Sequence, residues 1–183
     1  MIYDRSWLET EFRAKRHKTF AFFWGHQPSR DGSITAACFS QWWPSPFTSA
    51  GRIYPTAEHW MMAGKARLFG DEETAENIRA ASSPREVKEL GRQVRGFDET
   101  RWNEAKRGIV VEGNFEKFRQ NPPLGEFLLS TGEAIIVEAS PVDRVWGTGL
   151  AVDGERATNP TLWRGENLLG FALMEVRDRL ERQ

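Results

Sequence analysis

The sequence predicts a mainly α fold: a compact helical domain with a few short β-strands. Three observations lead there. Beyond residue 55, apolar residues recur at helical spacing behind proline, serine or aspartate starts. Only three or four segments have the length and composition of strands. The chain has 183 residues, a length that suits one domain. Hydrophobic residues make up 39%, and eight Trp and twelve Phe are present. Disordered chains are poor in aromatics, so this chain can bury a core.

The first 16 residues look peripheral. Trp7, Leu8 and Phe12 have helical spacing, but charges surround them. Residues 1–18 are expected as a peripheral segment and 19–183 as a single domain. Thr19 to Trp24 is a short apolar run ended by Gly25, which predicts a buried strand. Ser33 to Ser40 predicts a second strand, in a hairpin with the first. Gln41 to Gly51 holds two prolines and a glycine, which predicts a loop with anchored aromatics. Arg52 to Tyr54 predicts a brief strand.

Pro55 opens a helix to about Phe69, since proline suits the first helical turn. Asp71, Glu72 and Glu73 favour the positive end of a second helix, to about Ala81. Ser83-Pro84-Arg85-Glu86 reads as a capping box for a helix ending near Arg92. Asp98 caps the longest helix, about Glu99 to Arg119. Its expected buried stripe is Trp102, Ala105, Ile109, Gly113 and Phe118. Pro123 to Ser130 predicts a short helix, and Glu133 to Ala139 the clearest strand. Ser140 to Glu166 is a long polar loop, of a length more often functional than idle. A last helix, Asn167 to Arg182, presents Leu169, Ala172, Leu173, Val176 and Leu180.

Composition narrows the function. There are 25 basic and 26 acidic residues, for a net charge of −1. Such a chain makes no electrostatic case for duplex DNA or an anionic membrane as main partner, though a local cationic pocket is possible. No apolar run approaches the roughly 18 residues of a membrane helix. The N-terminal stretch lacks the apolar run of a secretory signal. Cys38 stands alone, which leaves no intrachain disulfide and no Cys-based metal site, and a reducing cytoplasm is the expected compartment. No cofactor is expected.

Phosphate-binding P-loop, dinucleotide and G-x-S-x-G motifs are absent. Glu58-His59 invites a metal reading, but H-E-x-x-H is missing. The other histidines are His17 and His26, and no metal site is expected. His59 then packs or caps near its helix start. Glu58, Met62, Lys65 and Phe69 share one helix face. That mixture could line a polar pocket. The alternative is a solvated Glu and a Lys snorkelling at the core rim.

Ser140 to Gly149 follows the clearest strand and brings Asp143, Trp146, Gly147 and Gly149 together. Glycine permits close backbone approach to a ligand, and Trp can stack on a planar base. The alternative is a tight turn in which Asp143 caps the loop and Trp146 plugs the core. Arg92, Arg107, Asn114 and Lys117 could bind phosphate, or could pair on helix surfaces.

These segments together resemble the NADAR superfamily, also called the YbiA-like family. The matching strings are FFWG (Phe22 to Gly25), FSQWWPSPF (Phe39 to Phe47) and IYPTAEHWMMAGKARLF (Ile53 to Phe69). Further on come LGRQVRGFD, GNFEKFRQNP, LLSTG, IVEASPVDRVWGTGL and NLLGFALMEVRDRL, in the family's order to about residue 181. Gln41 stands where the family's usual F-S-N-F has asparagine. The resemblance implies a mainly α, YbiA-like fold and an N-glycosidase of ribosylated, phosphate-bearing nucleotides.

One branch looks like hydrolases of early riboflavin-biosynthesis intermediates, 5-amino-6-(5-phosphoribosylamino)uracil and its diaminopyrimidinone precursor. They would yield ribose 5-phosphate and free base. Another branch is similar to enzymes that remove ADP-ribose from guanine, and in that reading the partner is ADP-ribosylated nucleic acid. A non-catalytic NAD or ADP-ribose-binding module is the alternative of another class. The resemblance implies Glu58 and Asp143 as catalytic acids. It implies Trp24, Gln41, Trp42, Lys65, Arg92, Asn114, Trp146 and Gly147 as substrate-binding residues.

Overall fold

The computed structural model describes residues 3–16, 18–152 and 154–183. The chain is mainly α, and its described strands form two two-stranded sheets. It divides into two units. One comprises the chain up to Ser40 and from Pro123 onward, and the other runs from Gln41 to Pro122.

The first unit is built on a parallel strand pair. β1 (Phe20–Phe23) runs beside β4 (Ile135–Glu138), with Phe20 opposite Ile135 and Phe23 opposite Glu138. This corrects the expected hairpin between β1 and Ser33–Ser40. Ala36–Phe39 is instead a 3-10 turn whose start is capped by the Thr35 side chain. Cys38 and Phe39 are neighbours in sequence and both fully buried. The Phe39 ring meets Phe23 edge-on.

α8 (Leu168–Leu180) covers β4. It buries Leu169, Ala172, Leu173 and Val176 as the spacing predicts. Phe171 and Met174 are buried too, whereas Leu180 is half-buried, so the helix is covered on more than one stripe. α1 (Arg5–Arg13) realises the helical spacing of the N-terminal segment. Asp4 caps it through the Trp7 N–H at 2.7 Å, and Leu8 is buried. α1 packs on a 3-10 turn at Pro160–Leu162. That turn and α7 (Gly154–Ala157) give structure to the segment expected as one long loop.

The second unit opens with a hairpin, β2 (Phe47–Ser49) against β3 (Arg52–Tyr54). β2 lies inside the stretch expected to be loop. Ala50 and Gly51 both take positive φ, as a two-residue hairpin turn requires, and the turn pairs Phe47 with Tyr54. Four helices follow: α2 (Ala57–Leu68), α3 (Glu72–Ala80), α4 (Pro84–Arg92) and α5 (Glu99–Gln120). Their starts are capped by Thr56, Asp71, Ser83 and Asp98. The expected box on α4 is shifted by one residue: Glu86 accepts from the Ser82 N–H, and Ser83 from the Glu86 N–H.

α2 packs on the other three helices. Trp60 lies across α5, and its indole N–H donates to the Ile109 carbonyl at 2.7 Å. Gly113 makes this crossing possible, because a Cβ there would sit 2.1 Å from the Trp60 ring. Gly113 and Phe118 are buried as expected, but Trp102, Ala105 and Ile109 are half-buried. Val110, Val111, Asn114, Phe115 and Lys117 are buried with them. α6 (Pro122–Leu129) follows α5 directly. No helix among the described residues is long and apolar enough to cross a membrane.

Candidate active site

In the second unit the side chains gather at the start of α2. Thr56 caps the helix, so Glu58 is its second residue and carries one of the backbone N–H groups without an intrahelical acceptor. The Gln41 carbonyl takes that N–H at 3.0 Å. The Glu58 side chain is buried, which excludes the solvated glutamate considered above. A carboxylate here lies at the positive end of the helix dipole.

Gln41 is itself held. Its Oε1 accepts from Asn114 Nδ2 at 2.9 Å, and its Nε2 faces Met61 Sδ at 3.9 Å. Asn114 is fully buried and also donates to the Val110 carbonyl at 2.8 Å. Its Oδ1 is a buried acceptor with no hydrogen-bond partner. α5, β2's leading segment and α2 are therefore joined by one amide chain ending at the Glu58 peptide.

Trp42 is half-buried and meets the His59 ring edge-on, 6.4 Å between centroids. His59 Nε2 lies 3.1 Å from the Ala81 carbonyl, and Nδ1 lies 2.8 Å from Thr56 Oγ1. A carbonyl only accepts, so Nε2 carries the proton and Nδ1 accepts from the hydroxyl. Burial pushes the His59 pKa down, against the opposing pull of the Ala81 carbonyl. Both ring nitrogens are thus engaged in packing α2, as the capping reading expects. Among the described residues no cluster of three His, Cys, Asp or Glu could hold a metal ion. His17 lies outside the described residues.

Lys65, on the same α2 face as Glu58, donates to the Gly91 carbonyl at 2.7 Å. Its ammonium lies over the Phe97 ring at 4.3 Å, and burial lowers its pKa. Arg92 is exposed in the last turn of α4. Lys117 is fully buried, with its ammonium 5.0 Å from the Phe118 ring, so it is no helix-surface cation.

In the first unit, Trp24 follows β1 and is 64% exposed, which leaves its ring available for stacking. Because β1 and β4 run parallel, the chain leaves both at the same end. The Ala139 N–H donates to the Phe23 carbonyl there. Ser140 follows, and its hydroxyl accepts from the Asp143 N–H at 3.1 Å. Asp143 Oδ1 accepts from the N–H groups of Val145 and Trp146, each at 2.8 Å. Asp143 therefore caps its own loop. Trp146 is half-buried and is not fully consumed by the core.

Gly147 is buried against this turn, and a Cβ there would lie 2.9 Å from the Glu138 carbonyl. The glycine is demanded by the protein's own packing. Asn167 completes the arrangement and was not singled out from sequence. It takes positive φ, accepts from the Glu138 N–H at 2.9 Å and donates to the Ile136 carbonyl at 2.9 Å. Its own N–H reaches the Gly147 carbonyl at 3.1 Å. The only local signal was an asparagine at a helix start, where left-handed backbone is tolerated.

The structure thus gathers Gln41, Trp42, Glu58 and Asn114 in one unit, with Lys65 and Arg92 farther along α2 and α4. It places Trp24, Asp143, Trp146 and Gly147 around the strand ends of the other. A mainly α chain with a buried carboxylate at a helix start and an Asp-Trp-Gly turn after a parallel strand is the class defined here. The chain belongs to the NADAR domain family, whose model matches residues 22–181.

Relatives bear this out. An N-glycosidase of Acanthamoeba polyphaga mimivirus is 42% identical over 164 residues, covering 87% of this chain and 95% of its own. The N-glycosidase YbiA of Escherichia coli is 33% identical over 142 residues, 78% of each chain. The NMR structure of E. coli YbiA superposes with a TM-score of 0.67 at 28% identity, covering 93% of this chain and 90% of that one. The family and mainly α fold that the resemblance implied are both found.

Proposed function

We propose that this chain is an N-glycosidase that hydrolyses the bond between ribose C1′ and an exocyclic nitrogen. Early riboflavin-pathway intermediates bearing a 5-phosphoribosylamino group are its proposed substrates. The observation that carries this reading is the buried Glu58 side chain at the α2 N-terminus, its N–H held by the Gln41 carbonyl while Asn114 holds the Gln41 side chain. The family relatives named N-glycosidases support it.

Cleavage of a ribosyl C–N bond develops positive charge at C1′, as in glycoside hydrolysis. A fixed carboxylate stabilises that charge or takes a proton from the attacking water. Water adds its oxygen to C1′, the C–N bond breaks, and the nitrogen leaves with a proton. Glu58 is assigned as the main catalytic carboxylate. Asp143 is assigned to a ribose hydroxyl or to proton transfer, Trp24 and Trp146 to stacking, and Arg92 to phosphate. A non-catalytic reader would have no need for an acid held in this way.

Hydrolysis of phosphoribosylaminouracil and of ADP-ribosylated guanosine, measured side by side, tests the proposal. Free ribose 5-phosphate from the first is expected. Glu58→Gln should lower turnover by about 10²- to 10⁴-fold, the usual worth of a positioned acid–base group. Near-wild-type turnover by a folded Glu58→Gln variant removes Glu58 from the mechanism. ADP-ribose released only from the second substrate moves the activity to reversal of guanine modification. Tight binding without turnover of either substrate sinks the hydrolase.

A further inference from the structure

α4 turns three cations to one side. Arg85, Lys88 and Arg92 are spaced by three and four residues, so they share a helix face. With Pro84 and Glu89 they line a cavity of about 450 Å³. Glu89 is tied to Arg85 at 2.9 Å, so the cavity carries three positive side chains and one negative. Lys88 and Arg92 have no salt bridge among the described residues. Lys88 reaches over Trp42, with its ammonium 5.5 Å from the ring centroid. Trp42 touches His59 and follows Gln41, whose carbonyl holds the Glu58 N–H. The cationic face of α4 is therefore linked by two ring contacts to the helix start that carries the carboxylate.

Lys65 is another cation near α4, and its ammonium is turned to the Gly91 carbonyl and the Phe97 ring. A cation there also complements the negative end of the α4 dipole. Lys65 is thereby committed to holding α4, which leaves the helix's own cations to face a ligand.

We propose that Lys88, flanked by Arg85 and Arg92, forms the subsite that receives the phosphate monoester of the substrate. This rests on the N-glycosidase reading and extends it to a residue outside the resemblance-based set. A phosphate monoester carries close to two negative charges near neutral pH. One ammonium backed by guanidinium groups matches that charge and its oxygen acceptors. The Trp42 ring on one side of the Lys88 ammonium, 5.5 Å from centroid to nitrogen, favours one position of the flexible lysine stem.

Binding of ribose 5-phosphate and of ribose, followed by calorimetry, tests the subsite without turnover. Wild type should bind ribose 5-phosphate more tightly than ribose. Lys88→Ala should weaken ribose 5-phosphate about tenfold or more, a typical loss for one charged hydrogen bond, and leave ribose unchanged. Lys88→Arg should recover most of the affinity. Lys65→Met should affect both ligands alike, and Arg182→Ala neither. Far-UV circular dichroism checks that each variant is folded, and Lys88 is exposed, so folding should be unaffected.

Equal binding of ribose 5-phosphate by Lys88→Ala and wild type overturns the subsite, as does a phosphate-specific loss in Lys65→Met alone. The two readings fail separately. Hydrolysis with Lys88-independent phosphate binding keeps the enzyme and removes the subsite. Lys88-dependent phosphate binding without hydrolysis of either substrate keeps the subsite and removes the enzyme.

Discussion

Glu58 and His59 are adjacent, and the helix start treats them oppositely. The glutamate is kept where an anion is favoured, and burial keeps the histidine neutral against the opposing pull of the Ala81 carbonyl. A histidine whose folded pKa is depressed resists protonation more in the folded state than in the unfolded one. Its contribution is complete above the ordinary value of 6.5 and is lost as pH falls below it. Urea melts between pH 7.5 and 5.5 should show this loss, with a slope of at most about 1.4 kcal/mol per pH unit. His59→Phe should flatten that part of the profile, and an unchanged slope would show that another group titrates. At Asp71 the same logic runs at lower pH. Arg95 holds this carboxylate well below its ordinary range through side-chain and backbone hydrogen bonds. Its contribution is present above the ordinary 3.8 and is lost as pH falls further.

At the scale of elements, the decisive junction is α2 on α5. α5 carries Asn114 one residue beyond Gly113, so the approach that seats Trp60 on Gly113 also brings the Asn114 amide to Gln41. Gly113→Ala should destabilise the protein by about 1–3 kcal/mol, the usual cost of overpacking, and should lower Tm in a thermal melt. Gly108 is a matched control on the same helix, because a Cβ there meets nothing within 4 Å. Gly108→Ala should raise stability by about 0.5–1 kcal/mol through helix propensity alone. Equal effects at both positions would show that the Trp60 contact does not limit the crossing. In the first unit, Asn167 plays the corresponding part, clamping β4 and the Gly147 turn to the start of α8.

At the scale of the whole molecule, charge separates the two substrate classes. The net charge of −1 provides no broad field for a polyanion, while α4 concentrates cations locally. A single phosphate on that face should give a shallow dependence of KM on salt. An oligonucleotide would lose affinity with a log–log slope of about −0.9 per phosphate contact. Steady-state rates across a salt series distinguish these. A steep slope with an ADP-ribosylated oligonucleotide, and no activity on the small substrate, would replace the metabolite reading with the nucleic-acid one.

Helix placement from α2 to α5 was legible because its causes are local. Asp71, Ser83 and Asp98 act on backbone groups within three residues, and the breakers between helices act on single dihedrals; at α2 the cap is Thr56, and Pro55 precedes the helix instead of opening its first turn. The motif residues could likewise be picked out one by one, and their chemical types already suggested an acid, a stacking surface and a phosphate contact. Sequence alone did not reveal that β1 pairs with β4, that Ser33–Ser40 turns as a 3-10 segment, or that Ala50-Gly51 closes a hairpin. Nor did it show that Gln41 would hold the Glu58 peptide, or that Lys65 would be drawn to Gly91. Strand partners and buried amide pairs are chosen by which distant groups lose water together. That choice depends on the folded arrangement, and only the tertiary structure decided it.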